Sequence, residues 1–189
     1  GLNKEQIQLR EQYTKAKNDI AALELEVKDY VNLQSKQQQI QAEMTKFQTS
    51  IKEQEAQIKI ISSSISGEQK LIDITKAQIV QIQDIGKGSN CPTCTRPLLE
   101  EYDKVIANLS STIESIQKEK IDKQTLELSK VESSKSTFDK QKEELQNQLQ
   151  ELNKQLTIIE IKQKDLIKAN NYFKEVETKG IQNKKELEE

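Results

Sequence analysis

The sequence predicts an all-α fold, a long antiparallel intramolecular coiled-coil hairpin with a Cys-x-x-Cys turn at its apex. Apolar residues recur at alternating spacings of three and four along both halves of the chain, which is the pattern of coiled-coil helices. Both cysteines and both prolines lie between Cys91 and Pro97, close to the midpoint. We therefore divide the chain into an ascending arm at residues 2–85, an apical loop at 86–97 and a descending arm at 98–188.

The composition limits the chain to a narrow apolar seam. Of its 189 residues 33% are hydrophobic and 32% charged, whereas soluble globular domains carry roughly 45–50% apolar residues. The net charge of −2 argues against a basic nucleic-acid clamp and against an acidic tail. Neither a membrane span nor a signal peptide is indicated, so we expect no membrane partner. The chain begins and ends within helical pattern, and we expect it to be part of a longer protein.

The ascending arm carries a continuous heptad series. A seven-residue repeat runs from Ala16 to Ile79 without a break, and no proline interrupts it. Residues 62–67, Ser-Ser-Ser-Ile-Ser-Gly, are the weakest helical segment, because Ser and Gly are poor helix formers. A kink there and a continuous helix with small exposed residues are both open interpretations.

The descending arm repeats the same pattern after the apex. Pro97 suits a first helical turn, where its missing N–H costs nothing. Three-four spacing then runs from Leu99 to Ile116, becomes less regular between residues 118 and 137, and recovers from Phe138 to Val176. Gly180 is a candidate point of fraying near the end.

The two arms keep a common phase if the chain folds back between residues 92 and 93. Facing residues in such a hairpin have position numbers with a constant sum, expected near 185. The predicted pairs with sums of 185 or 186 are Ile79–Ile106, Ile72–Ile113, Ile65–Ile121, Ile58–Leu128, Phe47–Phe138, Tyr30–Leu156, Val27–Ile159, Ile20–Leu166 and Tyr13–Phe173. Unrelated helices would stay in phase only by coincidence, so we favour the intramolecular hairpin over an extended parallel dimer.

The apical cysteines predict half of a zinc site. Structural zinc takes four ligands, and two thiols at Cys-x-x-Cys spacing supply two of them, Cys91 and Cys94. The chain has no histidine, and the nearest identical source of two more thiolates is a second copy of the same turn. We therefore expect a symmetric homodimer in which two chains share one Zn²⁺. Four thiolates leave no open position for catalysis, so the ion would have a structural role.

The residues around the cysteines suit such a junction. Gly86 and Gly88 allow the chain to leave the first helix, and Pro92 stiffens the turn between the thiols. Arg96 either offsets the negative charge of four thiolates on zinc or remains a solvated loop charge. We expect the dimer interface near the cysteines to include Pro92, Thr93, Arg96, Pro97 and Leu98.

The segment Cys91-Pro92-Thr93-Cys94-Thr95-Arg96-Pro97-Leu98 resembles the zinc hook of the SMC-like DNA double-strand-break repair ATPases, which are bacterial SbcC and its archaeal and eukaryotic counterparts. Their motif is CPxC, often followed by Gly-Arg, and Thr95 stands where that glycine is frequent. The resemblance covers about eight residues. It implies a rod that ends in an ABC-type ATPase head, a nuclease partner, and hook dimers that tether DNA. It also implies cytoplasm or nucleoid in a prokaryote and nucleus in a eukaryote.

Two other functions remain open at this stage. The Cys-x-x-Cys motif also occurs in thiol–disulfide oxidoreductases, although no strand pattern accompanies it here. A generic coiled-coil scaffold that ignores metal is the third interpretation. Gly86-Lys87-Gly88-Ser89 lacks the spacing of a phosphate-binding loop. We therefore expect no catalysis and no small-molecule substrate in this fragment. A weak, salt-sensitive DNA contact along the rod stays an open interpretation.

Overall fold

The computed structural model describes residues 1–188, including every side chain except that of Leu2. It is all-helical, with 93% of the chain in helices, and within the described residues no strand is formed. This confirms the predicted all-α class. The α-helices are α1 (Leu2–Val27), α2 (Tyr30–Ile85), α3 (Tyr102–Ser115) and α4 (Asp122–Glu188).

The chain divides into two compact units, and the first joins Gly1–Thr45 to the segment that starts at Glu143. The rings of Tyr13 and Phe173 lie with their centroids 4.8 Å apart, as the pairing predicted. The core of this unit is a cluster of buried residues with partly buried neighbours, which include the predicted partners Tyr30 and Leu156. Its members are Ile40, Leu152, Leu156, Tyr30, Leu33, Met44, Leu145 and Leu149.

The second unit comprises Lys46–Lys142 and therefore contains the apex. The predicted pair Phe47 and Phe138 is in ring contact, with centroids 6.0 Å apart. Ile72 is the most deeply buried large side chain, at 1% exposure. Polar contacts between the two arms flank the seam of this unit. They are Lys120 Nζ to Glu68 Oε1 at 3.3 Å, Gln124 Nε2 to Ser64 Oγ at 2.8 Å and Lys135 Nζ to Glu55 Oε1 at 3.6 Å.

Helix irregularity in this unit lies in the descending arm, not in the serine-rich segment of the ascending arm. Helix α2 continues without a break through residues 62–67. A π-helical segment at Ile116–Ile121 instead separates α3 from α4. A π turn adds one residue to a helix without breaking it. The descending arm therefore stays helical through the start of the stretch in which its sequence pattern is less regular.

The surfaces of the two units carry many charged side chains, and the ion pairs between them add little to the stability of the fold. Most ion pairs join exposed side chains three or four residues apart, such as Lys118 with Glu114 and Lys104 with Glu101. Such pairs contribute roughly 0–1 kcal/mol each, so the apolar seam is the main source of stability. In the part of the chain that the structure describes, no helix is both long and apolar enough to cross a membrane.

We expect Ile72→Ala to lower the free energy of unfolding by about 2–4 kcal/mol, because it removes a buried side chain and leaves a cavity. The matched control is Val80→Ala, since Val80 lies on the same helix at 55% exposure. That control should change stability by about 0.5 kcal/mol or less. Urea denaturation followed by circular dichroism, with chelator present, measures both. Equal losses in the two variants would contradict the assigned seam.

Candidate metal centre

The backbone leaves α2 through a glycine-dependent turn. A 3₁₀ turn at Gly86–Gly88 follows Ile85, and Gly86 has φ of +81°, in the left-handed region that favours glycine. The Ser89 N–H donates to the Gly86 carbonyl at 2.9 Å and closes this turn. This closed turn fixes the path of the backbone between the end of α2 and the first cysteine, Cys91.

Backbone hydrogen bonds close residues 89–98 into a compact turn around the cysteines. An isolated antiparallel bridge joins Asn90 to Pro97 at its base. The bonds across it are Cys91 N–H to Arg96 C=O at 2.8 Å, Thr95 N–H to Cys91 C=O at 2.9 Å and Leu98 N–H to Ser89 C=O at 2.8 Å. These bonds connect the residues before the thiols to the residues after them. The positions of Cys91 and Cys94 are therefore fixed by backbone hydrogen bonds.

The structure brings the two predicted ligands together. Cys91 and Cys94 are free thiols that come within 3.6 Å of each other. That approach is far longer than a disulfide bond of about 2.05 Å. Cys91 is half-buried and Cys94 is exposed. The pair is therefore reduced, adjacent and open to an external partner.

Hydrogen bonds at the turn favour the thiolate form of Cys91. The backbone N–H of Cys94 and then that of Thr93 lower the pKa of the Cys91 thiol, with smaller contributions from the side chains of the same two residues. A donor that points at sulfur stabilises its anion, and the thiolate is the form that binds metal. The turn therefore favours the thiolate at Cys91, which is the form that a metal ion would need.

The predicted interface residues differ in how much surface they expose. Pro92, Thr93, Arg96 and Pro97 are exposed around the cysteines. Leu98 is only 4% exposed, because its side chain packs inside the chain's own apex, whereas its neighbour Leu99 is 58% exposed. Pro97 lies in the bridge with Asn90 and not in a helical turn, because the first helical turn after the apex, a 3₁₀ turn, begins at Leu99 and leads into α3 at Tyr102.

Thr95 carries backbone strain that the sequence analysis did not predict. Its φ is +61°, and a β-branched residue in that region is a genuine outlier. The Thr95 Oγ1 donates to the Cys94 carbonyl at 2.7 Å, which ties the side chain beside the second thiol. The strain could have been predicted from the glycine that is frequent at this position of the CPxC motif, since glycine adopts positive φ without a steric cost.

Donors other than the two thiols are scarce at the apex. Across residues 1–188, no group of three or more His, Cys, Asp or Glu side chains is placed to hold a metal ion. The donor set that one chain presents is therefore Cys91 with Cys94, two thiols on one turn.

No family model, curated protein or solved structure matches this chain.

We expect Thr95→Gly to give a more stable apex than Thr95→Ala, the reverse of their usual order. Both variants lose the hydroxyl, but alanine keeps the strained left-handed backbone, which costs about 1 kcal/mol or more. Hydrogen exchange of the Cys91 N–H, measured by NMR without metal, should be about fivefold slower in the glycine variant. Faster exchange in the glycine variant would show that Thr95 is not strained.

Alkylation should report the lowered pKa of Cys91. In metal-free protein, the pH midpoint for iodoacetamide modification of Cys91 should lie below its midpoint in urea, because folding favours the thiolate. The corresponding stabilisation is complete above the unfolded pKa and disappears as the pH falls through the folded pKa. Peptide mass spectrometry separates Cys91 from Cys94. Identical midpoints in the folded and unfolded chain would exclude the N–H to sulfur bonds.

Proposed function

We propose that this chain is a zinc-dependent homodimerisation module and rigid spacer of a DNA double-strand-break repair ATPase. Two apical turns would share one Zn²⁺ through Cys91 and Cys94 of each copy. The observation that carries the proposal is the pair of adjacent free thiols on a hydrogen-bonded turn at the end of a packed helical pair. This fragment has a structural role, and the ATPase activity belongs to the parent protein.

The donors present fit zinc. Thiolates are preferred ligands of structural zinc, and Cys-x-x-Cys is its usual ligand spacing. The backbone N–H groups of Thr93 and Cys94 favour the anionic form of Cys91, and the reduced state leaves both sulfurs available. When bound, the ion supplies a closed structural link between thiolates. The protein's own part is to hold Cys91 and Cys94 side by side and exposed enough to meet a partner.

The incomplete donor set is what requires a second copy. Structural zinc takes four ligands, and one apex presents two. A symmetric pair of identical turns completes the set and limits the assembly to two chains. Exposed Pro92, Thr93, Arg96 and Pro97 surround the sulfurs and would form the contact, while buried Leu98 supports the turn from within. The Arg96 guanidinium would offset the negative charge of the four thiolates.

The assignment to DNA repair rests on the resemblance of the apical motif to the zinc hook. In that family, hook dimers connect two ATPase–nuclease complexes so that DNA ends are tethered. The long helices α2 and α4 suit such a spacer, because a helix extends 1.5 Å per residue and resists bending. In the full-length protein we expect a nuclease partner and DNA.

We expect zinc-reconstituted protein to bind one Zn²⁺ per two chains and to be dimeric, and strong chelator to return it to monomer. Cys91→Ser combined with Cys94→Ser should abolish zinc binding and the dimer while retaining helicity. Metal analysis combined with sedimentation equilibrium measures stoichiometry and mass together. Circular dichroism checks that the helices remain.

The matched control is Ala22→Ser with Ala107→Ser, which adds two serines at exposed helical positions. It should keep full zinc content and full dimer affinity. A dimer that survives both cysteine substitutions would favour the metal-independent scaffold. Reduction of insulin disulfides by the zinc-free chain, at the rate of an oxidoreductase, would favour the redox function.

A further inference from the structure

The two thiols of the apex are close enough to react with each other. Cys91 and Cys94 are reduced and approach within 3.6 Å, whereas a disulfide bond is about 2.05 Å long. Forming that bond requires the two side chains to approach by about 1.5 Å. The chain has no third cysteine, so neither thiol has a competing partner within its own molecule.

The backbone holds both thiols on one turn. The Thr95 N–H donates to the Cys91 carbonyl at 2.9 Å and closes the residues between the cysteines into a single turn. The Cys91 N–H donates to the Arg96 carbonyl at 2.8 Å and fixes the base of that turn. Groups held in this way meet at an effective concentration far above that of another chain at micromolar protein. Oxidation in the metal-free chain would therefore join Cys91 to Cys94 of the same molecule.

A small oxidant has access to both thiols. Cys94 is exposed at the surface of the apex, and Cys91 is half-buried. A cleft of about 340 Å³ is lined by Cys91 together with Asn90, Pro92 and Thr95, among others. The oxidation of a thiol depends on its exposure. A hydroperoxide is small and polar, so it is able to reach Cys94 from solvent and Cys91 through the cleft.

We infer that the apex is a redox switch, in which a hydroperoxide converts Cys91 and Cys94 of one chain into an intrachain disulfide and thereby prevents that chain from joining a second copy through zinc. The inference rests on the proposed function, in which zinc takes both thiolates of each apex. One disulfide removes both ligands of a copy at once, and the remaining two thiolates do not complete the four-ligand set of structural zinc. Oxidation of either copy is therefore enough to open the link between two rods.

The reaction transfers two electrons and needs only the two thiols and the oxidant. One thiolate attacks the O–O bond of the hydroperoxide ROOH, an S–O bond forms, and the leaving oxygen takes up a proton and departs as the alcohol ROH. The second thiolate attacks this sulfenic sulfur, an S–S bond forms, and hydroxide leaves as water with the second proton. The two thiols are oxidised and the hydroperoxide is reduced. Unlike an oxidoreductase, the chain is itself the substrate and reacts once.

Mass spectrometry and sedimentation test the switch on the full chain. Metal-free protein is treated with hydrogen peroxide, the excess is removed with catalase, and zinc is added. The oxidised chain should be lighter by two hydrogen atoms and remain monomeric. Its Kd for the zinc-dependent dimer should rise about a hundredfold or more, because both of its ligands are lost. A phosphine reductant, removed before zinc is added again, should restore the mass and the dimer.

The matched control is Met44→Leu, because Met44 is the only other residue with an oxidisable sulfur. Met44 packs against the core cluster of the first unit, and its oxidation to the sulfoxide would disturb that packing. Leucine conserves the volume of methionine, so the variant should fold. We expect it to form the zinc-dependent dimer and to lose it on oxidation as the parent chain does. Survival of the dimer in oxidised Met44→Leu would overturn the inference.

The outcomes separate this inference from the proposed function. A reduced chain that forms the zinc-dependent dimer and still forms it after peroxide treatment overturns the switch and leaves the shared zinc intact. Absence of any zinc-dependent dimer in the reduced chain overturns both, because the disulfide would then have no link to open. Disulfides between two chains, visible as covalent dimers on a non-reducing gel, overturn the switch because they hold the rods together. Products that the reductant does not reverse, such as sulfinic acids, also overturn it.

Discussion

The structure depends on a narrow apolar seam that neither arm can bury alone. With 33% hydrophobic and 32% charged residues, each helix has one apolar side and a solvated remainder. The apolar side of the ascending arm packs against that of the descending arm, as the contacts of Tyr13 with Phe173 in one unit and Phe47 with Phe138 in the other show. An isolated polar helix is marginal in water, so packing and not helix propensity maintains these long segments.

The apex is built by a different kind of interaction. Residues 89–98 have too few apolar side chains for a core, and backbone hydrogen bonds with one buried leucine, Leu98, hold the turn. Those bonds align donors on Cys91 and position Cys94 beside it. Strain at Thr95 is tolerated because the bonds on both sides over-determine its conformation. A turn of this kind holds the two thiols side by side through its backbone hydrogen bonds.

The all-α class, the contacts of Tyr13 with Phe173 and Phe47 with Phe138, and the proximity of Cys91 to Cys94 followed from the sequence, because a three-four repeat, a constant sum of positions and a Cys-x-x-Cys spacing are linear patterns. The sequence left the serine-rich segment undecided, and the structure settled it: α2 stays continuous there, and the irregular π-helical segment lies at Ile116–Ile121 in the other arm. Burial of Leu98, exposure of Leu99 and the positive φ of Thr95 also required the structure. They depend on how the backbone closes between Ser89 and Leu98, and that closure is a three-dimensional hydrogen-bond pattern that residue spacing does not encode.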